Sequence, residues 1–147
     1  MKLKKISDVE YLHVKTGVSI MLAEPPVFKR AHEVFDLTGK QPIFAYGGMI
    51  WNPYNGGMDD AIVAHEIVHL EQQGKDSDGW WEKYFTDAAF RLEQEIPAYK
   101  AQYRELRKTI ANHSVLVLHK ARMCKDLSGP MYGNAIGYAA VFRAIGQ

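Results

Sequence analysis

The pentapeptide His65-Glu66-Ile67-Val68-His69 constrains this chain more than any other stretch. Two imidazoles four residues apart act together only if the backbone between them is helical. Residues i and i+4 then stand one above the other on a single face. Glu66 is turned about 100° from His65 around the same axis. The flanks agree with a helix: Asp59 and Asp60 offer an N-cap and an acidic first turn, and Gly74 offers a stop after Gln73. Val63, Ile67 and Leu70 make an apolar stripe away from the histidines, suited to burial in a core.

The pattern is H-E-x-x-H, and its chemistry follows from that geometry. Two imidazole nitrogens at about 2.0–2.1 Å can share one Zn²⁺. Glu66 stays off the metal but beside the water that the metal activates, where it can act as general acid/base. A catalytic zinc site needs a third protein ligand. Gln72 and Lys75 occupy the positions where a longer pattern would place Gly and a third His, so that pattern is absent. His113 and His119 fall in or near a later helix, in no obvious ligand slot, and His13 and His32 lack a partner at ligand spacing. Both of the latter are expected at the surface or partly packed. Carboxylates remain: Asp87, Glu93 and Glu95 on the next long helical stretch. Glu95 is favoured, because it lies far enough past His69 for a loop and a returning helix, and the small Ala98 on its face lets two helices approach. Glu93 is its rival and points to a different side.

The rest of the chain reads as short elements punctuated by Pro and Gly. Residues 9–22 suggest a strand, 27–35 a helix, and 42–53 a hairpin turning at Gly47–Gly48. Trp80–Ile96 predicts a long helix after a loop over 75–79. Pro97 is expected to kink or restart it before a continuation to Ile110. Further helices are expected over 115–127 and 134–145. The fold class expected is α+β, mainly helical, with a small antiparallel β element packed beside the H-E-x-x-H helix. Parallel strand–helix–strand alternation is not evident.

At 147 residues, with 47% hydrophobic and 24% charged residues, the chain is expected to form one domain over 1–147. Eighteen basic against 17 acidic residues leave a net charge of +1, which gives no footprint for nucleic acid or an anionic membrane. The single cysteine, Cys124, excludes an internal disulfide and a Cys-based metal cluster, and is expected to be a buried hydrophobe. The N-terminus lacks the apolar core of a signal peptide, and runs such as Val115–Leu118 are too short to span a bilayer. A cytoplasmic location is expected, and packaging in a virion would leave no different mark.

His65-Glu66-x-x-His69 with a downstream helical Glu95 resembles the gluzincin group of zinc metallopeptidases. The hairpin Tyr46-Gly-Gly-Met-Ile-Trp-Asn-Pro53, Gln72 and Glu95-Ile-Pro-Ala-Tyr99 are similar to small, minimal metallopeptidase-like proteins of phages and prophages. The resemblance covers residues 42–102. It implies a zincin-like fold, Zn²⁺ on His65, His69 and Glu95, and Glu66 as the catalytic acid/base. It also implies an extended peptide bound by strand addition to Met49–Trp51. Tyr99 stands where larger gluzincins often carry an acid that supports a histidine; Gln72 could supply part of that support. Tyr99, Tyr103, Tyr132 and His113 are candidates to stabilise an oxyanion. Trp80–Trp81 could line a cleft or anchor a helix start. The expected activity is peptide-bond hydrolysis on a peptide or protein substrate. The rival reading is a zinc-binding structural or interaction protein, for example a virion component, and a cell-wall peptide is a third option. Oligomeric state is not legible.

Overall fold

A computed structural model describes residues 1–146. The N-terminal region forms three short strands: β1 (Leu3–Lys5), β2 (Glu10–His13) and β3 (Ser19–Met21). The stretch expected as one strand over 9–22 is therefore two. The chain reverses between them, with Gly17 at φ 77° donating its N–H to the His13 carbonyl. After helix α1 (Phe28–Phe35) come β4 (Phe44–Tyr46) and β5 (Met49–Trp51). Gly47 and Gly48 join these two strands with φ of 60° and 76°, the left-handed pair that a tight primed turn requires.

The sheet is larger than expected and is not purely antiparallel. Its order is β1-β2-β3-β5-β4, and β3 pairs parallel with β5, with Ile20 opposite Ile50. This corrects the expectation of strand addition at Met49–Trp51. β5 is bonded on both sides and has no free ladder to offer. The edge strand is β4, and the Ala45 carbonyl already accepts from Gln73 Nε2 (2.7 Å) and Trp81 Nε1 (2.9 Å).

Helix α2 (Asp60–Gln73) has the predicted limits. Asp59 Oδ1 accepts from the Ile62 N–H at 2.8 Å, and Gly74 closes the other end. Val63 packs with Ile20 and Ile50 on the sheet, with Ile67 and Leu70 beside them, so the predicted apolar stripe is the buried one.

The stretch expected as one helix over 80–96 is broken. Helix α3 (Ser77–Thr86) starts earlier, capped by Asp76, and ends at Asp87; α4 (Ala88–Thr109) starts there, with Asp87 Oδ1 accepting from the Phe90 N–H at 3.1 Å. An aspartate that caps so well competes with a continuous helix. Pro97 does not restart the helix: α4 runs through it without a break. Proline costs the bond to the Glu93 carbonyl, but packing along the neighbouring helices holds the segment; α2 and α4 form the most extensive element pair in the molecule.

Helix α5 (His113–Leu127) begins at the Asn112 cap, a 3₁₀ turn covers Pro130–Tyr132, and α6 (Tyr138–Ile145) starts later than expected, because Asn134 takes a positive φ of 50°. The fold is thus α+β, with six α-helices and a five-stranded mixed sheet among the described residues. Cys124 is fully buried among Tyr103, Leu106 and Val141, as expected. Trp80 and Trp81 anchor an aromatic cluster with Phe44, Tyr84 and Phe85, and Trp80 also lines a separate surface pocket with Gln72, Phe90 and Gln94. Among the described residues no helix is long and apolar enough to cross a membrane.

Candidate metal centre

The geometry begins with α2 and α4 lying side by side. The fully buried Ala98 on the contact face allows close approach, and Glu95 is brought against the two histidines one turn apart. His65 Nε2 and His69 Nε2 are 3.2 Å apart. Glu95 Oε1 lies 3.4 Å from His65 Nε2 and in closer contact with His69 Nε2. One ligand atom from each residue fits within 4.8 Å of the others, and all three side chains are buried. Glu93 is exposed and outside this group, and Asp87 is spent as a helix cap.

Donor chemistry fits a cation. Glu95 Oε1 is buried within ion-pair reach of both rings yet makes no hydrogen bond. Two imidazole nitrogens and a carboxylate oxygen facing one another in a buried site need positive charge shared among them, which a proton on His69 or a bound cation can supply. Two imidazoles and one carboxylate match zinc better than the all-oxygen sets of calcium or magnesium.

The outer contacts are asymmetric. His69 Nδ1 donates to Gln72 Oε1 at 2.8 Å, and Gln72 Nε2 donates to the Gln94 carbonyl at 2.9 Å. That fixes His69 in the tautomer whose Nε2 is free to ligate. The accepting carbonyl follows directly on that of Glu93, which Pro97 deprives of its helical donor. Trp80 packs its ring 5.2 Å from the His69 ring. His65 has no such support: its Nδ1 is buried without a partner, and the Tyr99 ring meets its edge at 4.7 Å. Where an acid could have stood, Tyr99 gives packing. The second oxygen of Glu95 accepts from Tyr132 at 3.1 Å and Tyr84 at 3.4 Å.

Electrostatics separates the two glutamates. Burial pushes against ionisation of Glu95, but the two imidazoles outweigh it and hold the carboxyl well below the usual range. For His69, burial disfavours charge, yet Glu95 dominates and the imidazole is pushed up to about 9. Burial raises Glu66; the neighbouring histidines oppose this and Glu95 adds to it. Burial likewise keeps the phenols of Tyr84, Tyr99 and Tyr132 protonated.

A cleft of about 390 Å³ opens onto this centre. Three helical stripes wall it: Ile62, His65 and Glu66 of α2; Glu95, Tyr99 and Gln102 of α4; and His119, Arg122, Met123 and Asp126 of α5. The α4 and α5 stripes run i, i+3/i+4, i+7 and the shorter α2 stripe i, i+3, i+4, each the spacing of one helix face. Gln41 and Ile43 close the side next to β4. Of the oxyanion candidates, Tyr99 alone lines the cleft. Tyr103 is buried in the core, Tyr132 is held by Glu95, and His113 is exposed at the start of α5.

Several contributors were not singled out in the sequence. Tyr84 carried no signal at all. The stripe on α5 could be read as one helix face, but its spacing does not say what it faces. His13 also differs from expectation: it is 1% exposed, with Nε2 donating to Asp60 Oδ1 at 2.7 Å and Nδ1 paired with Thr16 Oγ1 at 2.6 Å. His32 is exposed, as expected. Compared with known proteins, the chain matches no family model, no curated protein and no solved structure.

Proposed function

We propose that the chain is a zinc-dependent metallopeptidase of zincin-like, gluzincin type, acting on a peptide or protein substrate. The observation that carries the reading is the arrangement of four residues. His65, His69 and Glu95 converge on one point, while Glu66 lines the adjoining cleft without joining them. Three protein ligands leave one position open, as catalytic sites do and structural sites generally do not.

Zinc held there would acidify a water and polarise a scissile carbonyl. Glu66, lining the cleft beside the three candidate ligands, would serve as the general acid/base, taking up a proton at its carboxylate and returning it to the leaving amine. Its raised affinity for protons, a consequence of burial, brings it toward the range of a working base. Glu95 remains ionised and offers Oε1, because Tyr84 and Tyr132 hold Oε2. Gln72 orients His69. Tyr99, the cleft's one phenol, stays protonated and can donate toward a carbonyl oxygen that gains charge. The three helical walls exclude bulk water from one side of the reacting bond.

The test pairs elemental analysis with cleavage of a peptide library. Zinc-loaded wild type is expected to hold about one zinc per chain and to cleave a subset of peptides. Glu66→Gln should keep the zinc and lose at least about 10²-fold in rate. Wild type that takes up no zinc, or hydrolysis that survives Glu66→Gln, would refute the reading. Full zinc with no cleavage by wild type would leave the structural alternative.

A further inference from the structure

Around Glu66 the cleft is rich in carboxylates. Glu66, Glu95 and Asp126 all line it, and the only permanently charged cation on its walls is Arg122. Of the other five arginines three are engaged, while Arg104 and Arg143, like Arg122, have no partner among the described residues but lie outside this cleft. Arg30 pairs with Glu82, Arg91 donates to the Tyr84 and Met131 carbonyls, and Arg107 stacks on Tyr103. Arg122 has no ion pair, hydrogen bond or ring partner among the described residues, although Asp126 stands one turn further along the same face. Burial raises the Asp126 carboxyl, with Lys125 opposing and Glu95 adding a smaller push in the same direction. The stripe containing Arg122 includes the buried Met123, while Arg122 and Asp126 are exposed, so Arg122 stands at the open side of the cleft.

A free guanidinium facing a cleft is the fork that binds a planar carboxylate through two parallel bonds. Apart from Arg122, the polar groups lining the cleft are the carboxylates, the amides of Gln41 and Gln102, the Tyr99 hydroxyl and the rings of His65 and His119. We propose that Arg122 receives a carboxylate of the bound peptide, so that the cleft selects substrates with an anionic group next to the scissile amide. This rests on the peptidase reading of the same cleft. A free C-terminal carboxylate and an acidic side chain share the required chemistry, and the experiment separates them.

The host is the full chain, zinc-loaded, carrying Glu66→Gln so that probes survive. Three probes are titrated by NMR: N-acetyl-trialanine as the free acid, the same peptide as its C-terminal amide, and N-acetyl-Ala-Glu-Ala amide. At least one anionic probe should bind about tenfold or more tightly than the neutral amide, the scale of a charge-assisted hydrogen bond. Adding Arg122→Gln should bring all three within twofold, and Arg122→Lys should retain part of the preference. Preference for the free acid assigns Arg122 to a chain terminus; preference for the Glu probe assigns it to a side chain. Three affinities within twofold in the host, no measurable binding by either anionic probe, or a preference that survives Arg122→Gln would overturn the proposal. Because binding is read, the two readings can fail separately. An Arg122-dependent preference in a protein that hydrolyses nothing sinks only the peptidase. Hydrolysis without charge preference sinks only the Arg122 assignment.

Discussion

Helix α2 carries a buried histidine contact at each end, and the two differ in what they leave unmet. At its N-terminus, His13 spends both ring nitrogens, one on Asp60 and one on Thr16. A ring so occupied is a fastener between β2 and α2, with nothing left for a ligand. About one and a half to two and a half turns further along α2, His65 and His69 crowd against Glu95, and two buried atoms, His65 Nδ1 and Glu95 Oε1, have no hydrogen-bond partner. Burial, histidine and a carboxylate are common to both places. The difference is satisfaction: a closed set of bonds holds structure, and an unmet set calls for a cation.

The sharpest way to break this contrast is to delete a histidine from each end. His65→Ala or His69→Ala is expected to abolish stoichiometric zinc binding, whereas His13→Ala should leave zinc content intact. Stoichiometric zinc in either of the first two by elemental analysis would remove the metal centre. Glu95→Ala should match them, and Glu93→Ala, at an exposed position, should resemble wild type. Next in size, Gln72→Ala is expected to weaken zinc binding about 10–100-fold by freeing the His69 ring. An unchanged affinity in a chelator competition would mean that the amide only bridges helices.

A third measurement concerns protons. In chelator-stripped protein the His69 imidazole, at about 9, is protonated at pH 7, and zinc needs it neutral. Zinc binding should therefore release about one proton at pH 7, fading as pH rises through that value. Calorimetry in buffers of different ionisation enthalpy reads this directly; heats independent of the buffer would contradict it.

The smallest effects lie at the fastener. His13→Ala should lower stability by about 1–3 kcal/mol in a denaturant titration, the cost of the lost hydrogen bonds and of the space left by a buried ring. Asp60 has its carboxyl lowered by the His13 hydrogen bond. A lowered folded-state value means stabilisation that is present above the ordinary value of 3.8 and lost as pH falls through the folded one. Asp60→Asn should flatten that acid limb, and a limb as steep as wild type would place the acid sensitivity elsewhere.

What could be read from the sequence follows from how local its cause is. The limits of α2 were legible because Asp59 and Gly74 act within one turn, and the hairpin was legible because Gly47–Gly48 allows few conformations. The convergence of Glu95, in preference to Glu93, with the histidines was legible from the face it shares with Ala98. The broken helix at Asp87 was missed although its cause is local, since the same residue can cap or simply continue. The unbroken passage through Pro97 was not legible, because its support comes from neighbouring helices. Parallel pairing of β3 with β5 and the approach of α5 to the cleft depend on contacts between distant segments, and no spacing rule announces them.

The two phenols on Glu95 come from far along the chain, Tyr84 from α3 and Tyr132 from the 3₁₀ turn beyond α5. The inner sphere of the centre is written in 31 consecutive residues, His65 to Glu95, yet the carboxylate is finished only by a hydroxyl 37 positions later. Any shortened version that stops before Pro130 keeps all three candidate ligands and loses one of the two hands steadying the third. The smallest working unit is therefore much longer than the motif that advertises it.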